Sequence, residues 1–390
     1  MLQHRKKCIL LAFISFISVY SFYSCNKTVV VNNPVSNTNT TDPLATLNLL
    51  PAAYNYSNQS LPPYYLSQAV SEQDNTPAAN TVTDWGATLG RVLFYDKILS
   101  INNSVACASC HKQNLSFADD KAFSEGFAGA LTARNSMSLV NVKYYRNGKF
   151  LWDERGATLE TQTLMPVVHP VEMGMPNLDT LVNRLNTKAY YAVLFQKAFG
   201  AQTITSDKIG SALAQFIRSI ISYQTRFDEG RTLINSLRLS YPNFTAQENE
   251  GKQLFFNPLL GCNGCHKTET FTAPSPKNNG LENPSVDFGV GGITNDPLQV
   301  GNFKVPSLRN IELTAPYMHD GRFATLEEVI EHYNSGVQPH PNLSLQLRNP
   351  DSTPVRLHLA ADEKKALIAF LKTLTDHGIT NDPKFSDPFK

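Results

Sequence analysis

The chain has 390 residues and is almost electrically balanced, with 34 Lys and Arg against 33 Asp and Glu and a net charge of +1. That balance gives no basic face for a nucleic acid, and the length suits two modest domains plus a tether. Beyond the N-terminus no apolar run is long enough to cross a membrane as a helix.

The chain opens on a basic group, His4, Arg5, Lys6 and Lys7, followed by an apolar run over residues 9–22. This has the form of an export signal, and it ends in Tyr23-Ser24-Cys25-Asn26. Residues 1–25 therefore resemble a lipoprotein signal with Cys25 as the lipidated residue. Phe22 and Tyr23 are bulkier than the usual residues there, so an ordinary export signal or an uncleaved anchor are the alternatives. All three place the body of the protein outside the cytoplasm. Residues 26–82 are rich in Asn, Thr, Pro and Ser and read as a tether, partly laid against the body. Regular structure is expected from about Thr83, with Asp84 capping a helix that carries Leu89, Val92, Leu93 and Phe94 at helical spacing.

Next comes Cys107-Ala108-Ser109-Cys110-His111, answered later by Cys262-Asn263-Gly264-Cys265-His266. Two thiols three positions apart followed at once by histidine is the pattern of c-type haem attachment: the cysteines bond the vinyl groups and the histidine ligates the iron. The bland reading of such pairs is zinc, even one site with four thiolates. The histidine after each pair and the export signal argue against it. Cys8 lies in the signal and Cys25 is the acyl acceptor, so the six cysteines leave none for a disulfide. Each attachment site also follows a similar stretch, Gly90-Arg91-Val92-Leu93-Phe94 and Gly251-Lys252-Gln253-Leu254-Phe255. The second has Thr245 and Glu248 placed as a capping box. Glycine inside a helix predicts the close approach of another backbone.

Residues 207–227 carry one apolar helical stripe with Ile209, Leu213, Phe216, Ile217, Ile220 and Ile221, and residues 362–375 carry another with Leu367, Phe370, Leu371 and Leu374. Residues 268–303 and 337–354 are loops rich in Pro, Gly and Asn, and strand signals are weak. The expected fold is mainly α: two cytochrome c-like domains, residues 83–240 and 241–390, each with one covalent haem. They pack about a pseudo-two-fold relation, with the C-terminal end placed to reach the first domain.

Taken together, these residues resemble the dihaem bacterial cytochrome c peroxidases and their relative MauG. The landmarks run from Leu93-Phe94-Tyr95-Asp96 through Arg134-Asn135, Trp152-Asp153 and residues 166–174 to residues 305–310, 314–321 and 326–333. The resemblance implies that the haem at His111 handles peroxide while the haem at His266 receives electrons. It makes Glu172, in Pro166-Val167-Val168-His169-Pro170-Val171-Glu172-Met173-Gly174, the acid–base group that moves a proton between the peroxide oxygens. Gln162 and Pro166 match positions lining that haem pocket. Trp152 matches a residue lying between the haems, and Asn135, Thr314 and Pro316 match ligands of a calcium ion.

Two departures from the family pattern stand out. Where other members carry a histidine that blocks the peroxidatic iron, the loop Ser124-Glu125-Gly126-Phe127-Ala128-Gly129 has Phe127, and no histidine lies between His111 and His169. The first haem is therefore expected to be five-coordinate without reductive activation. On the second haem, Tyr333 stands where many members have methionine and MauG has tyrosine. Met318 is the rival ligand, with Tyr333 favoured. His319 and His332 are read as surface or hydrogen-bonding residues. The implied function is reduction of hydrogen peroxide with electrons from a small cytochrome c or cupredoxin, facing the periplasm. The alternatives are MauG-like oxidation of a partner protein and an electron-transfer cytochrome without turnover. The resemblance also admits a homodimer.

Overall fold

The computed structural model describes residues 42–390. The signal and Cys25 lie outside the described residues. Short helices joined by long loops make up the fold, and strand pairing among the described residues is limited to isolated bridges. None of the described helices is long and apolar enough to cross a membrane.

Two helix pairs form the framework. The helix Asp84–Tyr95 crosses Ser206–Arg218, and Ala246–Phe255 crosses Ala361–Lys372. Each crossing is made close by the predicted glycine. Gly90 lies against the carbonyl of Ala212, and Gly251 lies against that of Ala366, so that a Cβ at either position would collide with backbone. The aromatic packing repeats as well. Phe94 meets Phe216 with ring centroids 5.2 Å apart, and Phe255 meets Phe370 at the same separation. Each pair belongs to its own hydrophobic core.

Two local expectations are corrected by contacts distant in sequence. The first helix is capped by Thr83, whose hydroxyl accepts from the Gly86 N–H, rather than by Asp84. The Asp84 carboxylate instead accepts from the N–H groups of Tyr56 and Ser57, both at 2.9 Å. The apolar stripe over 207–227 is not one helix. It stops at Arg218, because Asn141 pairs with the next segment through Ile220 O (2.9 Å) and Ser222 N (2.8 Å), and Thr225 then caps a new helix, Arg226–Leu233. From residue 42 onward, the stretch read as a tether is packed. Leu47 bridges to Phe389, and Tyr64 and Tyr65 donate to Asp228 and to Ser222 O at 2.7 Å. Ile379 and Phe385 of the C-terminal tail sit in the first core.

Buried polar side chains join the two halves. Arg309 is ion-paired with Asp228 at 2.6 Å and donates to Glu269 O. Asn310, fully buried, donates to Ser116 Oγ at 2.7 Å and accepts from Asp376 N at 2.6 Å.

Gly251→Ala is expected to destabilise the protein by about 1–3 kcal/mol, because overpacking at the crossing outweighs the better helix propensity of alanine. A thermal midpoint at or above that of the wild type would show that the crossing tolerates a methyl group.

Candidate haem sites

Both CxxCH segments fold alike. Residues Cys107–Cys110 and Cys262–Cys265 form single helical turns, with the histidine N–H bonded to the carbonyl of the first cysteine at 2.9 and 3.0 Å. The histidine ring is then fixed by one further bond. His111 Nδ1 lies 3.0 Å from Phe117 O, and His266 Nδ1 lies 3.1 Å from Phe271 O. A carbonyl can only accept, so each Nδ1 carries the proton and each Nε2 is left with a free lone pair. Burial pushes both imidazoles down, His266 to about 4, so both are neutral and able to ligate.

Each triplet lines its own chamber, which rules out one zinc site made from all four thiols. Burial raises the Cys107 and Cys262 thiols to about 12. Among the described residues no cluster of three or more His, Cys, Asp or Glu could hold a metal. The chambers offer about 690 Å³ beside His111 and about 1320 Å³ beside His266, counting space open to solvent. These are the dimensions of cofactor sites. Thiols, a free Nε2 and mostly apolar walls in one chamber fit a covalently held haem.

The His111 chamber is lined by Gln162, Pro166 and Glu172, which the sequence assigns to it, together with Glu125, Leu213 and Ile217. Thr158 caps the turn that carries Gln162, and Pro166 begins the next. Glu172 follows on a loop held by Gly174 N to His169 O (2.9 Å) and by Phe127 N to Glu172 O (3.0 Å). Its carboxyl is 31% exposed. Burial raises its pKa, with His169, 3.4 Å away, and Arg155 opposing that rise. The Phe127 ring packs on Gly174, and among the described residues it is not part of the chamber wall and His111 is the only imidazole lining it.

The opposite wall of the His266 chamber is different. Tyr333 and Met318 both line it. Tyr333 lies on a π-helical turn, His332–Gly336, a backbone irregularity common at functional sites. Burial pushes its phenol up to about 12, while a hydrogen bond from Asn279 opposes that shift. Asn279 Nδ2 also reaches Met318 Sδ at 3.5 Å, and its carbonyl accepts from His332 Nε2 at 3.1 Å. His332 and His319 are buried, not surface residues: His319 stacks on Phe303 with centroids 3.8 Å apart. Asn279 is a site residue that sequence reading missed, lying in a loop whose composition signals only turns.

Trp152 lines the His266 chamber but not the His111 chamber. Its Nε1 donates to Asn135 O at 2.8 Å, and its own carbonyl accepts from Lys304 N at 2.8 Å. Asn135 N in turn donates to His319 O at 2.8 Å. Next to these residues Arg134 joins Asp153 (2.5 Å) to Asp287 (2.7 Å). Of the residues assigned to calcium, Asn135 is thus tied to the loop that carries Thr314 and Pro316. The Thr314 hydroxyl donates to Ile311 O at 3.3 Å.

Comparison with known proteins shows the family. The model of the di-haem cytochrome c peroxidases matches residues 85–232. Methylamine utilization protein MauG of Methylorubrum extorquens is 34% identical over 76% of this chain and 80% of that protein. Cytochrome c551 peroxidase of Nitrosomonas europaea is 30% identical over 74% and 79%. The crystal structure of a MauG-like protein associated with microbial copper homeostasis superposes with a TM-score of 0.72 at 34% identity, over 86% of this chain and 99% of that one. The chain belongs to the di-haem cytochrome c peroxidase family, and it is an oxidoreductase with two haem cofactors.

Proposed function

We propose that the protein reduces hydrogen peroxide to water, taking two electrons and two protons per peroxide, with both haems attached covalently as haem c. The observation that carries this reading is the difference between the two chambers. Among the described residues the lining of the His111 chamber has a carboxyl of raised pKa and no second imidazole, whereas the lining of the His266 chamber includes Tyr333 and Met318. Haem supplies the iron chemistry of peroxide activation and electron storage. The chain supplies the rest. Glu172 takes the proton from one peroxide oxygen and returns it to the other so that water can leave. Gln162 and Pro166 confine the small substrate beneath it. Trp152 offers an aromatic step for electrons leaving the His266 chamber.

Tyr333, with Met318 as the alternative, would be the second residue to hold that haem. A hydrogen bond from Asn279 would orient the Tyr333 oxygen and partly offset the burial that pushes the phenol up to about 12. The electrons come from a small cytochrome c or cupredoxin. A calcium ion at Asn135, Thr314 and Pro316 steadies the contact between the halves. The body faces the periplasm on a lipid anchor at Cys25, with a homodimer as its assembly. The rival reading, oxidation of residues on a partner protein as in MauG, is favoured by Tyr333 and by the absence of a second imidazole beside His111.

Cys107→Ala/Cys110→Ala should lose one of two covalent haems in a haem-stained denaturing gel, and Cys262→Ala/Cys265→Ala the other. Either variant retaining both would remove the covalent assignment. The resting protein should give a high-spin ferric EPR signal from the His111 haem; a low-spin bis-histidine signal there would refute the open site. With a reduced small cytochrome, rapid peroxide consumption should drop by at least about 100-fold in Glu172→Gln while both haems stay attached. Because Glu172 works as a carboxylate and its pKa is raised, wild-type kcat should fall on acidification at a pH above the ordinary glutamate value of about 4.3. Slow turnover with every small donor would favour the partner-protein reading.

A further inference from the structure

The His266 chamber contains two positive side chains that the reaction outlined above does not use. Its lining has no Asp, Glu or Arg, so Lys277 and Lys304 are its only fixed charges. They stand on neighbouring positions of one short ladder, in which Lys277 N donates to Phe303 O at 2.8 Å and Phe303 N to Lys277 O at 2.9 Å. Lys304 is 5% exposed, yet among the described residues its ammonium makes no hydrogen bond and no ion pair. The ring of Tyr145, 4.1 Å from Nζ, is its one polar contact. The carboxylate that acts on it from a distance, Glu154, is already engaged by the Tyr145 hydroxyl and by Asn147 Nδ2 at 2.8 and 2.7 Å. Lys277 likewise lacks a side-chain partner among the described residues, and it lies close enough to Cys265 to oppose the rise that burial causes in that thiol.

Neither Nζ is sealed from solvent, so both ammonium groups have access to the chamber, and two cations open to an otherwise apolar chamber fit an anionic ligand there. A broad, otherwise apolar chamber with two unpaired ammonium groups complements a flat apolar ligand that carries two carboxylates. Haem has that form, with two propionates on its periphery.

We propose that Lys277 and Lys304 hold the two propionates of the haem bound at Cys262, Cys265 and His266, an inference that rests on the haem assignment above. The same contact ties the haem to Trp152, because the Lys304 N–H is the donor that holds the Trp152 carbonyl. It also sets the chambers apart electrically. The His111 chamber has Glu125 and Glu172 in its wall and no Lys or Arg, so its haem lacks this compensation. Two cations beside the other haem would stabilise its reduced form.

The test uses the full-length holoprotein with Lys304→Met, Lys277→Gln, the double variant and Lys304→Arg. Haem content is read by pyridine haemochrome and denaturing gel, propionate bonding by the propionate bending band in resonance Raman, and each midpoint potential by spectroelectrochemistry. Both haems should remain attached. In Lys304→Met and Lys277→Gln the bending band should shift and the midpoint of the His266 haem should fall while that of the His111 haem holds. Lys304→Arg should stay near the wild type. If Lys304→Met fails to fold, Lys277→Gln at its half-buried position carries the same test. An unchanged band and unchanged midpoint in a fully loaded double variant would overturn this inference alone. A wild-type chain without haem on either cysteine pair would overturn the haem assignment itself.

Discussion

Everything in this protein's two sites depends on one hydrogen bond made twice, from histidine Nδ1 to the carbonyl of a phenylalanine a few residues on. To aim that carbonyl, Phe117 and Phe271 adopt left-handed backbone conformations, at φ of 58° and 51°. For bulky side chains this is a rare conformation costing on the order of 1–3 kcal/mol. What sustains it is the ring on the same residue. Both phenylalanines are fully buried, and they pack against Phe94 and Phe255 with centroids 6.1 and 5.7 Å apart. Burying such a ring is worth roughly 1.5–3 kcal/mol, comparable with the strain. Core packing therefore holds the strained turn, the turn places the carbonyl, and the carbonyl selects the tautomer that leaves Nε2 free. Site and core cannot be separated energetically.

From this common base the halves diverge through the segments that supply the facing wall. The His111 chamber is closed by residues 159–174, two short turns and a loop whose only ionisable contribution is a half-buried acid. The His266 chamber is closed by residues 277–304 and 317–333, which bring a phenol, a thioether and two lysines. One scaffold thus carries two electrostatic environments of opposite sign.

How much of this could be read beforehand follows from how local each signal is. The capping box at Thr245 and the helix glycines at Gly90 and Gly251 depend on neighbours within a few residues or on backbone approach, and the structure bears out both of these expectations; the attachment motifs are legible for the same local reason. The cap at Thr83 and the end of the helix at Arg218 were misjudged because distant partners decide them. Tyr56 and Ser57 occupy Asp84, and Asn141 draws residues 220–222 out of the helical path. The same reason explains Asn279, Lys277 and Lys304. Their loops have the composition of turns, and nothing in that composition says that the turns face inward. The burial of His319 and His332 was hidden likewise, since it is a long loop that covers them.

The junction between the chambers is the most constrained part of the fold. Trp152 is held at its ring nitrogen by Asn135 O and at its carbonyl by Lys304 N, one contact from each half of the chain. Its ring meets His319 edge-on at 6.4 Å, and His319 stacks on Phe303. Asp287 then accepts from Arg134 and lies 3.9 Å from His319, so the ion pairs that join the halves also border the aromatic run. Moving Trp152 would require breaking bonds in both halves at once. The aromatic contacts beside the His266 chamber are therefore set by the assembly of the fold rather than by the packing of one side chain, and an electron path through them would vary little as surface loops move.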